Sequence, residues 1–467
     1  MLLNSICNNL IIPDWISSNF YCFNSNLPLK NSINNTECSY RVYIRNEKTK
    51  QIISFEGNAA KLWNILSSSK KNLTRNVNKF LKENNIPYSD FKLYIKELEN
   101  LNLLFTDTKN IKNEIVQTND KNDDLKENEY QWISKHNYLP SLFIELTYKC
   151  NEKCIHCLNN KDDLISEISL EEMKKITDSA VKIGVSDITL SGGECTCAKD
   201  FLKIARYIRK KRLSLTIYTN CQKLYDDKDF FNQFIKLYPK KVEVSLYDID
   251  PKIHDKITGI KGSHKKTVFV IKKLIENNTD VKIKCFQLKE NKNSWKKVEK
   301  FAKEIGAEFS TDVNFFNNPN RKNSNVRLPE SNIIEFFTYK KNQELAPNNK
   351  FSSDFLNEKI CLAGIYGLAI NPNLDVYNCV TLQIPIGNLK KTSLLKLWKN
   401  RSKNKIYNYL TNLKRKDLKD CYKASYCRYC DYCPGRAYMN KEFLDKCSIS
   451  CEIAKATEIA LKKTALK

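Results

Sequence analysis

From Ser141 to about Phe316, short β-branched runs alternate with amphipathic stretches, and no other feature narrows the possible folds so far. LFIELT, DITLSGG, LTIYTN, KVEVSLYD, VKIKCFQL and EFSTDVNFF read as strands. Between them LEEMKKITDSAVKIG, KDFLKIARYIRKKR, DFFNQFIKLY, HKKTVFVIKKLIENN and WKKVEKFAKEIG carry apolar residues at three- and four-residue steps, the period of a helix with one buried face. Six strands so separated predict an α/β fold with a parallel sheet curled into an open barrel of six units. In such sheets ligands sit at the C-terminal ends of the strands, so chemistry is sought in the loops that follow them.

A chain of 467 residues exceeds one hydrophobic core and implies two to four domains of about 100 to 200 residues each. Gly and Pro are sparse, at 11 and 12 residues, so most of the chain is expected to fold. The N-terminus has neither a basic signal region nor a long apolar run, which predicts a cytoplasmic protein with no membrane partner. The net charge of +25 comes from Lys spread along the whole chain rather than from an Arg-rich patch with interleaved aromatics. No nucleic-acid partner is therefore expected.

Eighteen cysteines in a long chain without export signals point to metal ligation rather than a disulfide framework. They cluster. Cys150, Cys154 and Cys157 lie in the loop after the first barrel strand, and eight more fall between Cys361 and Cys451. Three closely spaced thiolates can hold three irons of a 4Fe-4S cube and leave the fourth open for chemistry, whereas a zinc site would borrow a distant fourth ligand. Cys7, Cys22, Cys38, Cys197, Cys221 and Cys285 have no partner spacing and read as structural thiols.

The spacing of Cys150, Cys154 and Cys157, with SGGE at Ser191 to Glu194, Thr219-Asn220, and VSLYDIDPKIHDKITGIKGSH from Val244 to His264, resembles the radical S-adenosylmethionine (SAM) family. The resemblance covers most of the chain from Ser141 onward. It implies a partial (β/α)6 barrel at 140–325, a 4Fe-4S cluster on the three cysteines, and SAM chelated at the open iron. It further implies that Gly192, Gly193 and Glu194 hold the amino group of the methionine, and that His156 stands where an aromatic packs near adenine. Asn220 and Ser245 are the remaining candidates for SAM contact, although Ser245 also reads as a plain strand-end serine. His254 and Asp255 are expected to fix the following loop. Cys195 departs from the family pattern, which commonly has Pro after the acid.

After a helical bridge at 326–360, the region 361–467 resembles the SPASM extension, which binds auxiliary iron-sulfur clusters. Cys361, Cys379, Cys421, Cys427, Cys430, Cys433, Cys447 and Cys451 would saturate two cubes at four thiolates each. Leu374 stands where the pattern has Gly, and Ala424 where a Cys-x2-Cys pair would continue from Cys421; Cys427 is a substitute, or one iron stays open for a substrate thiol. Zinc ribbons use Cys-x2-Cys pairs equally well.

Residues 1–106 contain strand-like RVYI and QIISF and then three helical stretches, with Gly57-Asn58 at the start of the first and Ser89-Asp90 as cap of the third. This winged-helix-like module is similar to the PqqD-type domain that holds the leader of a ribosomal precursor peptide, the leader adding a strand beside QIISF. A winged-helix DNA binder has the same order of elements, but the third helix carries mixed rather than basic charge. A polar linker is expected at 107–139. Together these resemblances imply a maturase that forms a thioether from a cysteine sulfur to an acceptor carbon of a precursor peptide, with flavodoxin or ferredoxin as electron donor. Other radical outcomes on a peptide (carbon-carbon or ether crosslinking, epimerisation) and a zinc-stabilised peptide- or DNA-binding regulator remain open at this point.

Overall fold

The computed structural model describes residues 7, 10–13, 16–22, 40–47, 51–67, 72–106, 137–157, 166–314, 326–341 and 355–465. Nearly all of the expected linker, Cys38 and the side chain of Cys22 lie outside the described residues.

Strands β1 (Ile16–Cys22), β2 (Tyr40–Asn46) and β3 (Ile52–Glu56) form an antiparallel sheet in that order, so β3 is an edge. Helices 57–67, 73–83 and 88–100 bury Trp63, Val77, Phe91 and Leu98 against Val42 and Ile44 of the central strand. The third helix corrects one expectation. It starts at Tyr88 behind Pro87 and has no side-chain cap, and the Ser89 hydroxyl donates instead to Asp90, 3.1 Å away. Proline lacks an N–H and holds the helical φ, so it ends the preceding chain one residue before a serine cap could act.

Six parallel strands follow: β4 (Ser141–Thr147), β5 (Asp187–Gly192), β6 (Ser214–Thr219), β7 (Lys241–Ser245), β8 (Val281–Phe286) and β9 (Glu308–Asp312). The sheet does not stop at β4. Strand β10 (Gly367–Ile370) pairs with β4 in parallel, and β11 (Asp375–Cys379) and β12 (Leu382–Asn388) continue antiparallel, giving nine strands in the order β12-β11-β10-β4-β5-β6-β7-β8-β9. The cysteine-rich hairpin is therefore the outer part of the barrel's own sheet.

Side chains alternate across this sheet. Leu142, Ile144, Ile188, Leu190, Ile217 and Val244 enter the core under the helices. Phe143 points to the inner face, where its ring meets Tyr218 edge-on at 5.6 Å. Phe143 pairs with Ala369, which pairs with Tyr377, and paired residues share a face. Tyr377 and, two residues on, Cys379 therefore lie on the same inner face as Phe143 and Glu145.

The N-terminal module docks at the N-terminal ends of the barrel strands, the side away from the strand-end loops. Arg209, in the last turn of the helix before β6, and Ser214, at the start of β6, meet Ser17 and Glu47 in a buried cluster: Arg209 donates to Ser17 at 2.5 Å, Ser17 to Glu47 at 2.8 Å and Ser214 to Glu47 at 3.0 Å. Arg212 adds bonds to the carbonyls of Pro13 and Ile12. At the other end of the chain, helix 448–465 packs on helix 330–341 and is tied by Arg327 to Glu452 at 2.6 Å. The apolar core beneath the C-terminal cysteines is small: Leu418, Tyr432, Ala437, Cys447, Ile449 and Ile453. Among the described residues no helix is long and apolar enough to cross a membrane.

Candidate active site

The loops after β4, β5, β6 and β7 enclose a cavity of about 350 Å³. Cys150, Cys154, Cys157, His156, Gly192, Gly193, Glu194, Asn220 and Ser245 all line it. Glycine is required where two of these loops touch. Gly192 has φ +129°, and a side chain there would strike the Thr147 carbonyl oxygen. At Gly193 an added Cβ would lie 2.5 Å from the carbonyl oxygens of Tyr148 and Lys149. The amides of Gly193 and Glu194 donate to the carbonyls of Thr147 and Lys149 at 2.8 and 2.9 Å, fastening the end of β5 to the start of the cysteine loop.

Glu194 is 2 % exposed. Its carboxylate accepts from the Thr196 amide and hydroxyl, the Thr219 hydroxyl at 2.9 Å and the Asn220 amide at 2.6 Å. Burial raises its pKa while these donors pull it down. Four donors from two loops show what this side chain does in the fold, which is to lock the β5 and β6 loops together. Asn220 then reaches the cysteine loop, its side-chain amide donating to Asn151 at 2.6 Å and to the Cys150 sulfur at 3.9 Å. The Glu152 amide also donates to that sulfur, at 3.4 Å.

Several lining residues were not singled out by sequence reasoning: Tyr148, Glu152, Tyr218 and Tyr247. Tyr247 is buried, and its hydroxyl lies 3.0 Å from Nε2 of His156 with the rings edge-on at 4.6 Å. It belongs to the VSLYDID block, where alternation along the strand and its extension could have flagged it as facing the same side as Ser245. His254 and Asp255 fix the next loop, as expected: Nδ1 of His254 accepts from the Tyr247 amide at 3.2 Å, and Asp255 accepts from the Gly262 and His264 amides and the Ser263 hydroxyl. Burial lowers the His254 pKa to about 3, so it is neutral. Of the remaining thiols, Cys7, Cys195, Cys221 and Cys285 are buried, and Cys195 donates to the Tyr218 carbonyl at 3.2 Å.

The donor set fits an iron-sulfur cluster. Burial raises the pKa of the half-buried Cys154 thiol, with the neighbouring Glu152 adding to the rise, and a bound metal takes the place of the protons on such thiols. Among the described residues no three His, Cys, Asp or Glu side chains converge closely enough to hold a single ion. A cube carries its ligands on separate corners and needs no such convergence.

The C-terminal cysteines form two groups rather than an even four and four. Cys421, Cys427, Cys430, Cys447 and Cys451 line a cavity of about 300 Å³ together with Ala424. Cys361 is within electrostatic reach of Cys379 and Cys433, which belong to a separate group. The division follows from the fold, because Cys379 is carried on β11 while Cys447 and Cys451 flank the start of helix 448–465.

Residues 144–302 match the model of the radical SAM superfamily, and residues 361–434 match that of SPASM, an iron-sulfur cluster-binding domain. The chain carries a radical SAM domain followed by a SPASM domain. Iron-sulfur clusters of the 4Fe-4S type and SAM are its cofactors. The chain is 30% identical over 154 residues to the antilisterial bacteriocin subtilosin biosynthesis protein AlbA of Bacillus subtilis, covering 32% of this chain and 33% of that protein. It is also 30% identical over 124 residues to a probable GTP 3',8-cyclase of Thermococcus kodakarensis, covering 26% and 39%. The match thus spans about a third of the length of these relatives. In fold the likeness is wider: Streptococcus suis SuiB, crystallised with its precursor peptide SuiA, superposes with a TM-score of 0.56 over 95% of this chain and 99% of that one, at 17% identity.

Proposed function

We propose that this chain is a peptide maturase, a radical SAM enzyme that forms a thioether between a cysteine sulfur and an acceptor carbon of a ribosomal precursor peptide. The observation that carries the reading is the arrangement of thiols: three at the mouth of the barrel, and a second group of three whose Cys379 faces the barrel interior from β11. Two metal sites of three thiolates each leave an iron for a ligand from outside the chain, in one case SAM and in the other a substrate sulfur.

Cys150, Cys154 and Cys157 hold the first cluster, and the amides of Glu152 and Asn220 bond the Cys150 sulfur and tune its potential. Bound together there, the cluster and SAM would supply one-electron cleavage of the sulfonium and a hydrogen-abstracting radical. Gly192 and Gly193 let the β5 loop pack onto the cysteine loop and so line the cavity where the methionine end would lie, and His156, braced by Tyr247, offers a ring to the adenine. Ser245 closes the same wall.

Substrate choice rests on the N-terminal module, read as a PqqD-type leader-binding domain. Among the described residues β3 pairs on one side only, with β2, which would leave its other side to an added peptide strand. The third helix exposes Leu93 at 66 % among Lys92, Lys96 and Glu97, an apolar anchor in mixed charge rather than a basic DNA-reading face. Likeness over the whole chain to a protein crystallised with its precursor supports a peptide substrate. The test is anaerobic turnover with the product of a short, cysteine-rich reading frame beside the gene. Loss of two hydrogens and of one free thiol per crosslink is expected; an unchanged disulfide-reduced mass while SAM is cleaved contradicts the reading.

A further inference from the structure

The inner wall of the barrel carries two carboxylates that the mechanism above does not use, half-buried Glu243 and buried Glu145. Glu243 on β7 has a cation, Lys284, at 3.0 Å, and the same ammonium bonds Tyr218 at 3.3 Å. Glu145 on β4 does not. It is 8 % exposed, forms no ion pair among the described residues, and has as hydrogen-bond partner the Tyr148 hydroxyl at the long distance of 3.5 Å. An unpaired buried carboxylate destabilises a fold, and sites of this kind concentrate where a protein handles protons.

Its position is informative. Glu145 sits between two places the reaction uses. Tyr148, its partner, lines the SAM cavity. On the other side Tyr377 of β11 is within electrostatic reach, and Cys379 lies two residues further along the same face. The other groups facing this stretch are Ser191, paired with Glu145 on β5, and Asn371 and Asp375, which bond to each other and to Tyr377. Across the barrel stand Tyr218, Glu243 and Lys284, with the Lys284 ammonium 3.0 Å from Glu243 and donating to the Tyr218 hydroxyl. Burial pushes Glu145 up to about 7, where a carboxylate is as much base as acid.

We propose that Glu145 accepts the proton of the donor cysteine thiol of the bound peptide. The inference deepens the thioether reading and rests on it. In this step the S–H bond breaks, its electron pair stays on sulfur, and the proton goes to a Glu145 oxygen to give a neutral carboxylic acid. The acceptor carbon separately loses its hydrogen atom to the 5'-deoxyadenosyl radical. When the sulfur bonds that carbon, the one surplus electron passes to an auxiliary iron-sulfur cluster.

The experiment compares wild type, Glu145→Gln and Glu145→Asp as iron-loaded enzymes with a cysteine-bearing precursor. Thiols consumed per 5'-deoxyadenosine released should fall about a hundredfold in the Gln variant and recover in part in the Asp variant. Raising the pH toward the thiol's own value of about 8.5 should rescue the Gln variant selectively. Infrared difference spectra recorded without reductant supply a second readout. A protonated carboxyl band should appear when wild type binds the precursor at pH 8, and should be absent with Glu145→Gln or with a precursor whose cysteine is replaced by alanine. Equal thiol consumption and equal pH profiles in wild type and Glu145→Gln overturn the assignment of Glu145 alone. A wild-type product that is altered but keeps all its thiols overturns the thioether reading.

Discussion

Single residues in this chain show strain that the fold around them explains. Leu374, where the SPASM pattern has Gly, adopts φ +68° and yet is only 3 % exposed. A left-handed leucine costs about 1 to 2 kcal/mol, whereas removing a buried leucine side chain costs about 2 to 5 kcal/mol. Leu374→Gly is therefore predicted to lose about 1 to 3 kcal/mol of stability despite relieving the backbone, as measured by anaerobic urea unfolding. Glu145 gives a pH dependence. Because its folded pKa, about 7, exceeds the value of 4.5 expected when unfolded, the folded state holds its proton longer, and stability present below 4.5 is lost as pH rises to 7. Glu145→Gln should match wild type near pH 4.5 and be more stable by about 2 to 3 kcal/mol at pH 8. An unfolding midpoint that shifts equally at both pH values contradicts this. At this scale, legibility followed local spacing. The nine residues named for the barrel site come from contiguous motifs and line one cavity, whereas Tyr247, inside a quoted motif but not singled out there, and Glu145, in a plain strand, show themselves only through the side of the strand on which they fall.

Among the elements, the six parallel strands and their helices were readable because each has its own period and its own boundaries. The attachment of the hairpin was not. Gly367 pairs with Ser141, 226 residues away in the sequence, and nothing in either segment specifies the other. That attachment matters, since it carries Cys379 onto the inner face and divides the cysteines into three and five. Five thiols around a site with four corners leave one to spare. On the proposed ligation, alanine at Cys361, Cys379 or Cys433 should lower anaerobic iron content by about four atoms. One of the five substitutions at Cys421, Cys427, Cys430, Cys447 and Cys451 should leave the iron content unchanged. Loss of about four irons from every one of these eight variants would restore the even division.

In the molecule as a whole, the N-terminal module and the SAM cavity lie at opposite ends of the barrel strands, held by the buried cluster of Arg209, Glu47, Ser17 and Ser214. A six-residue strand such as β5 is about 20 Å long at ~3.3 Å per residue. A peptide anchored on β3 must cover at least that distance, so precursors with fewer than about six residues between leader and first modified residue should go unmodified while longer ones react. Removing the arginine leaves Glu47 buried with one cation fewer. Arg209→Ala should cost about 3 kcal/mol at the junction and free the module to early proteolysis, without altering the strand-end loops.

The most direct measurement is the anaerobic release of 5'-deoxyadenosine from SAM by wild type and by a variant with alanine at Cys150, Cys154 and Cys157. The reductant, the protein concentration and the iron loading of the C-terminal region are held the same. Release by wild type and none above background by the variant, with its C-terminal iron retained, is the predicted result. Equal release by both would mean that these three sulfurs do not hold the cluster that meets SAM.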